Sequence, residues 1–451
     1  MISESVFTYG APDLKFGPGA AMEIGYDLAS RWGARRVLMV TDPGVTATGW
    51  PGRVAEAIRA YGIEVQVFAE VHIEPTDVSL RYAVESARAS GPWDAFVAVG
   101  GGSSIDTAKA VNLLTGNPGD LMDYVNAPIG GGRAPTQPLK ALVALPTTAG
   151  TGSESTTICV LDVLDLKVKT GISHTRLRPA LAVVDPLLTV TQPPAVTAAC
   201  GMDILCHALE SYTALPYTAF SRKAPDQRVP YCGANPVADM WSERALGLLG
   251  RSLRAAVADG QNLQARTDMA LAATFAGMGF GNAGVHIPHA IAYPIAGGVR
   301  DFHPDGYPAG EPLVPHGIAV ALTAPEAFRF TFPACPDRHL SAAGLLAQAA
   351  SPTSVDTPGG SATAMASAAA TSSAAAMSSA AAHQERLPAV LTELMRDIGI
   401  PNGISAVGYT EDDIDTLVVG TMKQQRLLAT APRPATGEDI AAILTRSFVL
   451  W

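Results

Sequence analysis

The segment GMDILCHALESYT, Gly201 to Thr213, carries an acid and an imidazole four residues apart in a run otherwise suited to a buried helix. Side chains at i and i+4 of a helix point the same way, so Asp203 and His207 can close on one object. Further histidines stand in apolar company, His286 and His289 in GVHIPHAIAYP and His316 in LVPHGIAVALTAPE. One carboxylate and three neutral imidazoles form a four-ligand set with a single negative charge. That set suits a divalent ion such as Zn²⁺ or Fe²⁺, whereas a hard ion such as Mg²⁺ prefers more oxygen ligands. Spacing alone leaves His286 and His289 as equal candidates for the third place.

A different chemistry is written in VAVGGGSSIDTAKAV, Val97–Val111. Three glycines follow a strand-like run and a helix is expected to open at Ser103 or Ser104. Free N–H groups and the positive end of the helix dipole make such a junction an anion site, and glycines let a pyrophosphate approach the backbone. The pattern is neither GxGxxG nor a P-loop. PTTAGTGSE, Pro146–Glu154, is a second loop of small and hydroxyl residues at a strand end, suited to a ligand lying across the sheet. Asp42 closes the first strand, where a carboxylate can accept from ribose hydroxyls and repel a 2′-phosphate. That favours NAD over NADP, although the Pro-Gly after Asp42 also fits an ordinary Asx-turn.

Positioning these groups requires a scaffold, and the apolar runs supply one. RVLMV (Arg36–Val40), VQVF (Val65–Phe68), AFVAV (Ala95–Val99), ALVAL (Ala141–Leu145) and LAVV (Leu181–Val184) alternate with helical patterns. Such runs predict a mainly parallel, Rossmann-like sheet covered on both faces. Beyond about Thr191, Ala- and Leu-rich helical segments take over, such as 240–259 and 263–276. The expected organisation is an α/β dinucleotide-binding domain over 1–190 and an all-helical metal and substrate domain over 191–451. Residues 351–382 are an Ala/Ser/Thr/Gly-rich tract, either a small-residue helix or a loose insertion, with no chemistry assigned.

Composition narrows the partners. A formal charge of −10 over 451 residues argues against nucleic acid or an anionic membrane surface. The uncharged stretch Thr274–Val299 is broken by glycines, prolines and histidines and makes a poor membrane span. Five cysteines with no CxxC spacing read as reduced thiols. MISESVFTYG shows no leader pattern, so a cytoplasmic enzyme is expected.

The order GGGSSIDTAKA, PTTAGTGSE, Asp-x-x-x-His in GMDILCHALESYT, then PHG at Pro315–Gly317 resembles the iron-containing alcohol dehydrogenase family, with its dehydroquinate-synthase-like fold. The resemblance implies that Asp203, His207, His289 and His316 hold the metal. It implies that Gly101, Gly102, Ser103 and Asp106 meet the NAD pyrophosphate, that Thr147, Thr148 and Lys169 lie along the cofactor, and that Asp42 is near its adenine ribose. DYVNAPIG, CHALESYTALPY, GANPVADMW, GFGNAGVHIPHAIAYPI and AVGYTEDDI are similar to the hydroxyacid-oxoacid transhydrogenase branch. So is Tyr293, where many other members of the family carry a further histidine. That branch passes a hydride from 4-hydroxybutyrate to 2-oxoglutarate. The alternative is an ordinary NAD-dependent alcohol or 4-hydroxybutyrate dehydrogenase, and the resemblance also implies a homodimer or larger homo-oligomer. Acidic substrates need a cation near the cleft, for which Arg222, Lys223 and Arg300 are the sequence candidates, with His286 as a further polar contact.

Overall fold

The computed structural model describes residues 2–166, 168–307, 310, 312–347 and 373–451. Six parallel strands form one sheet: β1 (Asp13–Phe16), β2 (Arg36–Val40), β3 (Glu64–Phe68), β4 (Ala95–Gly100), β5 (Ala141–Pro146) and β8 (Leu181–Val184), in the order β1-β8-β5-β4-β2-β3. The register pairs Val37 with both Val65 and Ala95, and Val97 with Val143. Successive side chains of a strand point to opposite faces. Leu38, Phe96 and Leu142 therefore pack beneath the helices α3 (Asp77–Ser90) and α4 (Gly102–Gly116). Val37, Val97 and Val143 pack on the other side against α1 (Ile24–Trp32) and α2 (Trp50–Arg59). Burial on both faces is why these strands read as unbroken apolar runs.

The structure adds strands that the apolar-run reading passes over. β1, DLKF, is a short edge strand with two exposed positions and two charges, the pattern that protects an edge from further pairing. Between β5 and β8 the chain makes an antiparallel hairpin of β6 (Ile158–Val163) and β7 (Val168–Ser173), with no α-helix in that crossover. β6 alternates half-buried and buried residues, a period-two signal in ICVLDV.

After β8 the described residues form helices and no strand. α5 (Pro194–Thr213) is buried almost all round, the mark of a central helix, and α6 (Pro236–Ala258) and α7 (Leu263–Ala283) pack against it. Both flanking helices exceed their expected bounds. α7 runs on through GMGFGNA because its glycines are packed against neighbours and do not end the hydrogen-bond ladder. Of the small-residue tract, 351–372 lies outside the described residues and 373–382 belongs to the helix Ser373–Asp397. Residues 2–10 leave the sheet to meet the helical part: the Glu4 N–H donates to the Phe220 carbonyl at 2.8 Å, and Gly10 exchanges two bonds with the Asn282 side chain. No helix of the described residues is long and apolar enough to cross a membrane.

One glycine sets the approach of two helices. A Cβ on Gly317, in α9 (His316–Ala321), would lie 2.0 Å from the Ala199 carbonyl oxygen of α5 and 3.1 Å from the Asp203 Cβ. Gly317→Ala is expected to force these helices apart and cost about 1–3 kcal/mol of stability. A thermal melt of purified protein checks this, and a midpoint equal to wild type would show that the contact tolerates a methyl group.

Candidate active site

Asp203, His207, His289 and His316 converge. One ligand-type atom from each lies within 4.8 Å of every other. Asp203 Oδ1 is 3.6 Å from His207 Nδ1, 3.7 Å from His289 Nε2 and 3.8 Å from His316 Nε2. These separations are too long for hydrogen bonds. They approach the ligand-to-ligand edge of about 3.4 Å that follows from tetrahedral bonds of about 2.1 Å. Three of the atoms, Asp203 Oδ1, His207 Nδ1 and His289 Nε2, are buried with no hydrogen-bond partner. Buried polar atoms are normally paired, so several orphans facing one point fit a divalent cation between them. His316, whose side chain is 24% exposed against 3–6% for the other three, is the most exposed member.

The local sequence explains the placement. Asp203 and His207 share one face of α5, as their spacing predicts. α7 ends at Gly284, whose φ of 103° suits glycine, and the chain turns so that α8 (Ile287–Gly297) begins beside α5. That turn separates the two histidines that spacing leaves equal. His289 points into the cluster, while His286 turns away and its Nε2 meets the Thr213 hydroxyl at 3.0 Å.

Glu210 carries no separate signal in the sequence beyond standing seven residues after Asp203, on the same face of α5. It is fully buried, with Oε1 2.5 Å from His289 Nδ1 and Oε2 accepting from the His286 backbone N–H at 2.5 Å. One carboxylate thus anchors the start of α8 and fixes the ring that presents Nε2 to Asp203. Phe280 stacks on His207, with centroids 3.9 Å apart and planes 7° from parallel.

The electrostatics follow from burial and neighbours. Burial opposes the charge of Asp203, yet the surrounding imidazoles hold its carboxyl below the usual range. Burial pushes His207 down to about 3 and His286 to about 4. Burial would also lower His289, but Glu210 and Asp203 overcome it and raise that imidazole to about 9. A cation between these residues would take the place of the His289 proton.

The cluster opens into a cavity of about 740 Å³ that also contains Gly102, Ser103, Asp106 and Lys169. Sheet order explains this gathering. β2, β4 and β5 are neighbours, so Asp42, the Gly101–Ser103 turn and Thr147–Thr148 emerge side by side at their carboxyl ends. α4 opens at Gly102, one residue before the expected start, because Gly101 serves as its N-cap. Gly101 offers no side-chain cap, which leaves the first N–H groups for an anion. Asp42, Gly101, Thr147 and Thr148 are not among the residues lining the cavity itself. Asp42 caps the short helix Pro43–Ala47 through Val45 N at 2.9 Å and accepts from the Ser104 hydroxyl at 3.1 Å, so the Asx-turn is present. The Thr147 hydroxyl is buried and unpartnered.

Two charged residues are committed to the walls. The Asp106 carboxylate accepts from Ser153 Oγ at 2.5 Å, Lys109 Nζ at 3.1 Å and Val160 N at 2.8 Å, tying α4 to the Thr-rich loop and β6. Lys169 Nζ on β7 sits between Glu74 at 2.8 Å and Asp162 at 2.7 Å, which hold its pKa up against burial. Neither acid was singled out by the sequence pattern. The cation candidates do not line this cavity. Arg222 and Lys223 lie in a separate surface pocket, and Arg300 is an exposed partner of Asp413.

A parallel sheet with glycine- and threonine-rich loops at its carboxyl edge adjoins helices that carry an acid-and-imidazole cluster able to hold a metal ion. Known proteins share this fold. The family described as iron-containing alcohol dehydrogenase matches residues 11–186, and the C-terminal part described for the same family matches 229–448. The chain belongs to the iron-containing alcohol dehydrogenase family, and with it to the oxidoreductases. It is 41% identical over 452 residues to the mitochondrial hydroxyacid-oxoacid transhydrogenase of Mus musculus, covering 100% of this chain and 91% of that one. The crystal structure of a 1,3-propanediol oxidoreductase superposes with a TM-score of 0.79 at 32% identity, covering 98% of this chain and 100% of that one. The NAD⁺ complex of sulfoacetaldehyde reductase from Bifidobacterium kashiwanohense gives 0.75 at 26% identity, covering 98% of each chain. The expected cytoplasmic location is overturned by the relatives from Mus musculus, Xenopus laevis and Homo sapiens, all named mitochondrial. Address signals are short segments read apart from the fold, and the pattern of MISESVFTYG was a poor guide to location.

Glu210→Gln is expected to leave the chain folded and to weaken retention of a divalent ion by about 10- to 100-fold, the usual effect of losing a residue that orients a ligand. Metal content per chain after dialysis against a graded chelator measures this, and equal retention in both proteins would remove Glu210 from the role.

Proposed function

We propose that this enzyme is a hydroxyacid-oxoacid transhydrogenase, moving a hydride from 4-hydroxybutyrate to 2-oxoglutarate and yielding succinic semialdehyde and 2-hydroxyglutarate. The end-to-end 41% identity to a protein of that name carries the reading. Tyr293 supports it, standing beside His316 with ring centroids 6.2 Å apart where many ordinary family members have a further histidine. The similarity to 1,3-propanediol oxidoreductase keeps an NAD-dependent alcohol or 4-hydroxybutyrate dehydrogenase as the second reading.

In this reading Asp203, His207, His289 and His316 hold one divalent ion, Fe²⁺ or Zn²⁺, and residues 1–190 bind NAD while 191–451 shape the metal and substrate site. A bound metal would supply Lewis acidity toward the substrate oxygen and NAD would carry the hydride. The chain does the rest. Glu210 and Phe280 fix two of the imidazoles. The N-terminus of α4 and the Gly101–Ser103 turn receive the pyrophosphate, and Lys169 stays charged between its acids along the cofactor. Burial raises the Tyr293 phenol, so it remains a neutral donor. Apolar side chains of the hairpin, Ile158, Val160 and Val168, help exclude water that would compete at the reacting carbon. A homodimer or larger assembly accompanies this reading as a family trait.

Asp42 belongs to the cofactor side. With its carboxylate at the end of β2, NAD should be preferred over NADP, and Asp42→Gly should narrow that preference. Loss of the helix cap would cost about 1 kcal/mol or less of stability. Titrating both cofactors into wild type and variant decides it, with equal wild-type affinities counting against the assignment.

The reaction itself has a direct assay. Desalted enzyme is given both acids, with deuterium on the reacting carbon of 4-hydroxybutyrate and a large pool of unlabelled NADH. Deuterium is expected in 2-hydroxyglutarate by mass spectrometry. Turnover that needs added NAD and releases NADH stoichiometrically would establish the dehydrogenase instead.

A further inference from the structure

The cavity beneath the imidazole cluster is lined by three Lys or Arg side chains among the described residues: Lys169, Lys423 and Arg426. Lys169 is already shared by two carboxylates. Among the described residues neither Lys423 nor Arg426 has an acidic partner, and both are exposed. They come from the junction of the helices Ile414–Met422 and Gln425–Leu428, a stretch without any motif.

Arg426 is nonetheless held in place. Its guanidinium lies 4.5 Å from the ring centre of Tyr231, and one N–H donates to the Ser173 hydroxyl at 3.3 Å. Tyr231 adopts φ 70°, a conformation uncommon for a non-glycine residue that surrounding contacts must sustain. Tyr231 packs in one apolar cluster with Phe280, Val285 and Leu427, and Phe280 is the ring stacked on His207. A positioned guanidinium with unused donors is therefore linked to the imidazole cluster through Tyr231 and Phe280. Arginine with free parallel N–H groups is the side chain suited to a carboxylate.

Resting on the reaction proposed above, we infer that Arg426, assisted by Lys423, anchors the remote carboxylate of both substrates. In 4-hydroxybutyrate the carboxylate carbon is three C–C bonds from the carbon that loses hydride. In 2-oxoglutarate the C5 carboxylate is likewise three C–C bonds from the carbonyl carbon. One cation at a fixed distance from the metal cluster thus serves both half-reactions, although the two acids differ at the other end. The second carboxylate of 2-oxoglutarate adjoins its carbonyl and has no counterpart in the donor, so it is not what a shared anchor reads.

The test follows each half-reaction separately in stopped flow on metal-loaded holoenzyme: reduction of bound cofactor by donor, and its reoxidation by acceptor. 4-Hydroxybutyrate is compared with butan-1-ol, and 2-oxoglutarate with 2-oxopentanoate, each control carrying a methyl group in place of the remote carboxylate. Arg426→Gln is expected to raise the apparent Kd of both acids about 30-fold, the loss of a charge-assisted hydrogen bond, and to change the two controls less than about threefold. Arg426→Lys, which keeps the charge but not the fork, should fall between and guards against misfolding of the first variant. Unchanged acid binding in both variants overturns the inference. Weakening of one acid alone overturns the shared anchor, and equal weakening of acids and controls assigns Arg426 to the cofactor or the fold instead. A wild-type enzyme that accepts butan-1-ol and ignores 4-hydroxybutyrate overturns the proposed reaction before any variant is made, and the anchor with it.

Discussion

A carboxylate buried without a lysine or arginine governs the helical half of this molecule. Asp203 has 3% of its side chain exposed, and burial of an unpaired ion costs several kcal/mol. The ionic neighbours recorded for it among the described residues are three imidazoles. Each must arrive from a different direction. α5 delivers one by helical spacing, α8 delivers another because the chain turns sharply at Gly284, and α9 delivers the third because Gly317 lets it lie against α5. Glu210 then stabilises the charge of the second imidazole from behind. Without these approaches the acid would face an apolar core.

Several kinds of group share the cavity beside that point. Phe280, Val285 and Tyr293 line it with aromatic and apolar surface, the Glu74–Lys169–Asp162 triple forms part of its wall, and Glu74 and Lys169 lie within electrostatic reach of His316. The overall charge of −10 disfavours acidic ligands at long range, so attraction has to be local.

The parts legible in the sequence are those fixed by local repetition. Sheet strands buried on both faces announce themselves as apolar runs, and Asp203 and His207 share a face because a helix has 3.6 residues per turn. The glycine turns after β4 and β5 stand at strand ends as their sequences suggest, and they emerge side by side because those strands are neighbours. What escaped depends on distant pairing. Nothing near His289 distinguishes it from His286; Glu210, 79 residues earlier, does so. The hairpin β6–β7 was missed because its alternation was set among longer apolar runs, and β1 because edges carry charge. Arg426 meets Ser173 across 253 residues of sequence. The candidates Arg222, Lys223 and Arg300, chosen for nearness in sequence to the cluster and not for any motif, do not line its cavity.

The cluster also draws its members from residues 203 to 316, on the three helices α5, α8 and α9, with α6 and α7 in the stretch between them. An ion held there would act as a cross-link that closes a long stretch of chain, restricting what that stretch can explore when it opens. Binding to the folded form alone adds RT ln(1 + [L]/Kd) to stability, so each tenfold rise in free ion above its Kd contributes about 1.4 kcal/mol. The lifetime of the helical half in a cell is then tied to metal supply, and scarcity would expose the chain to proteases before it slowed the chemistry of the molecules still loaded.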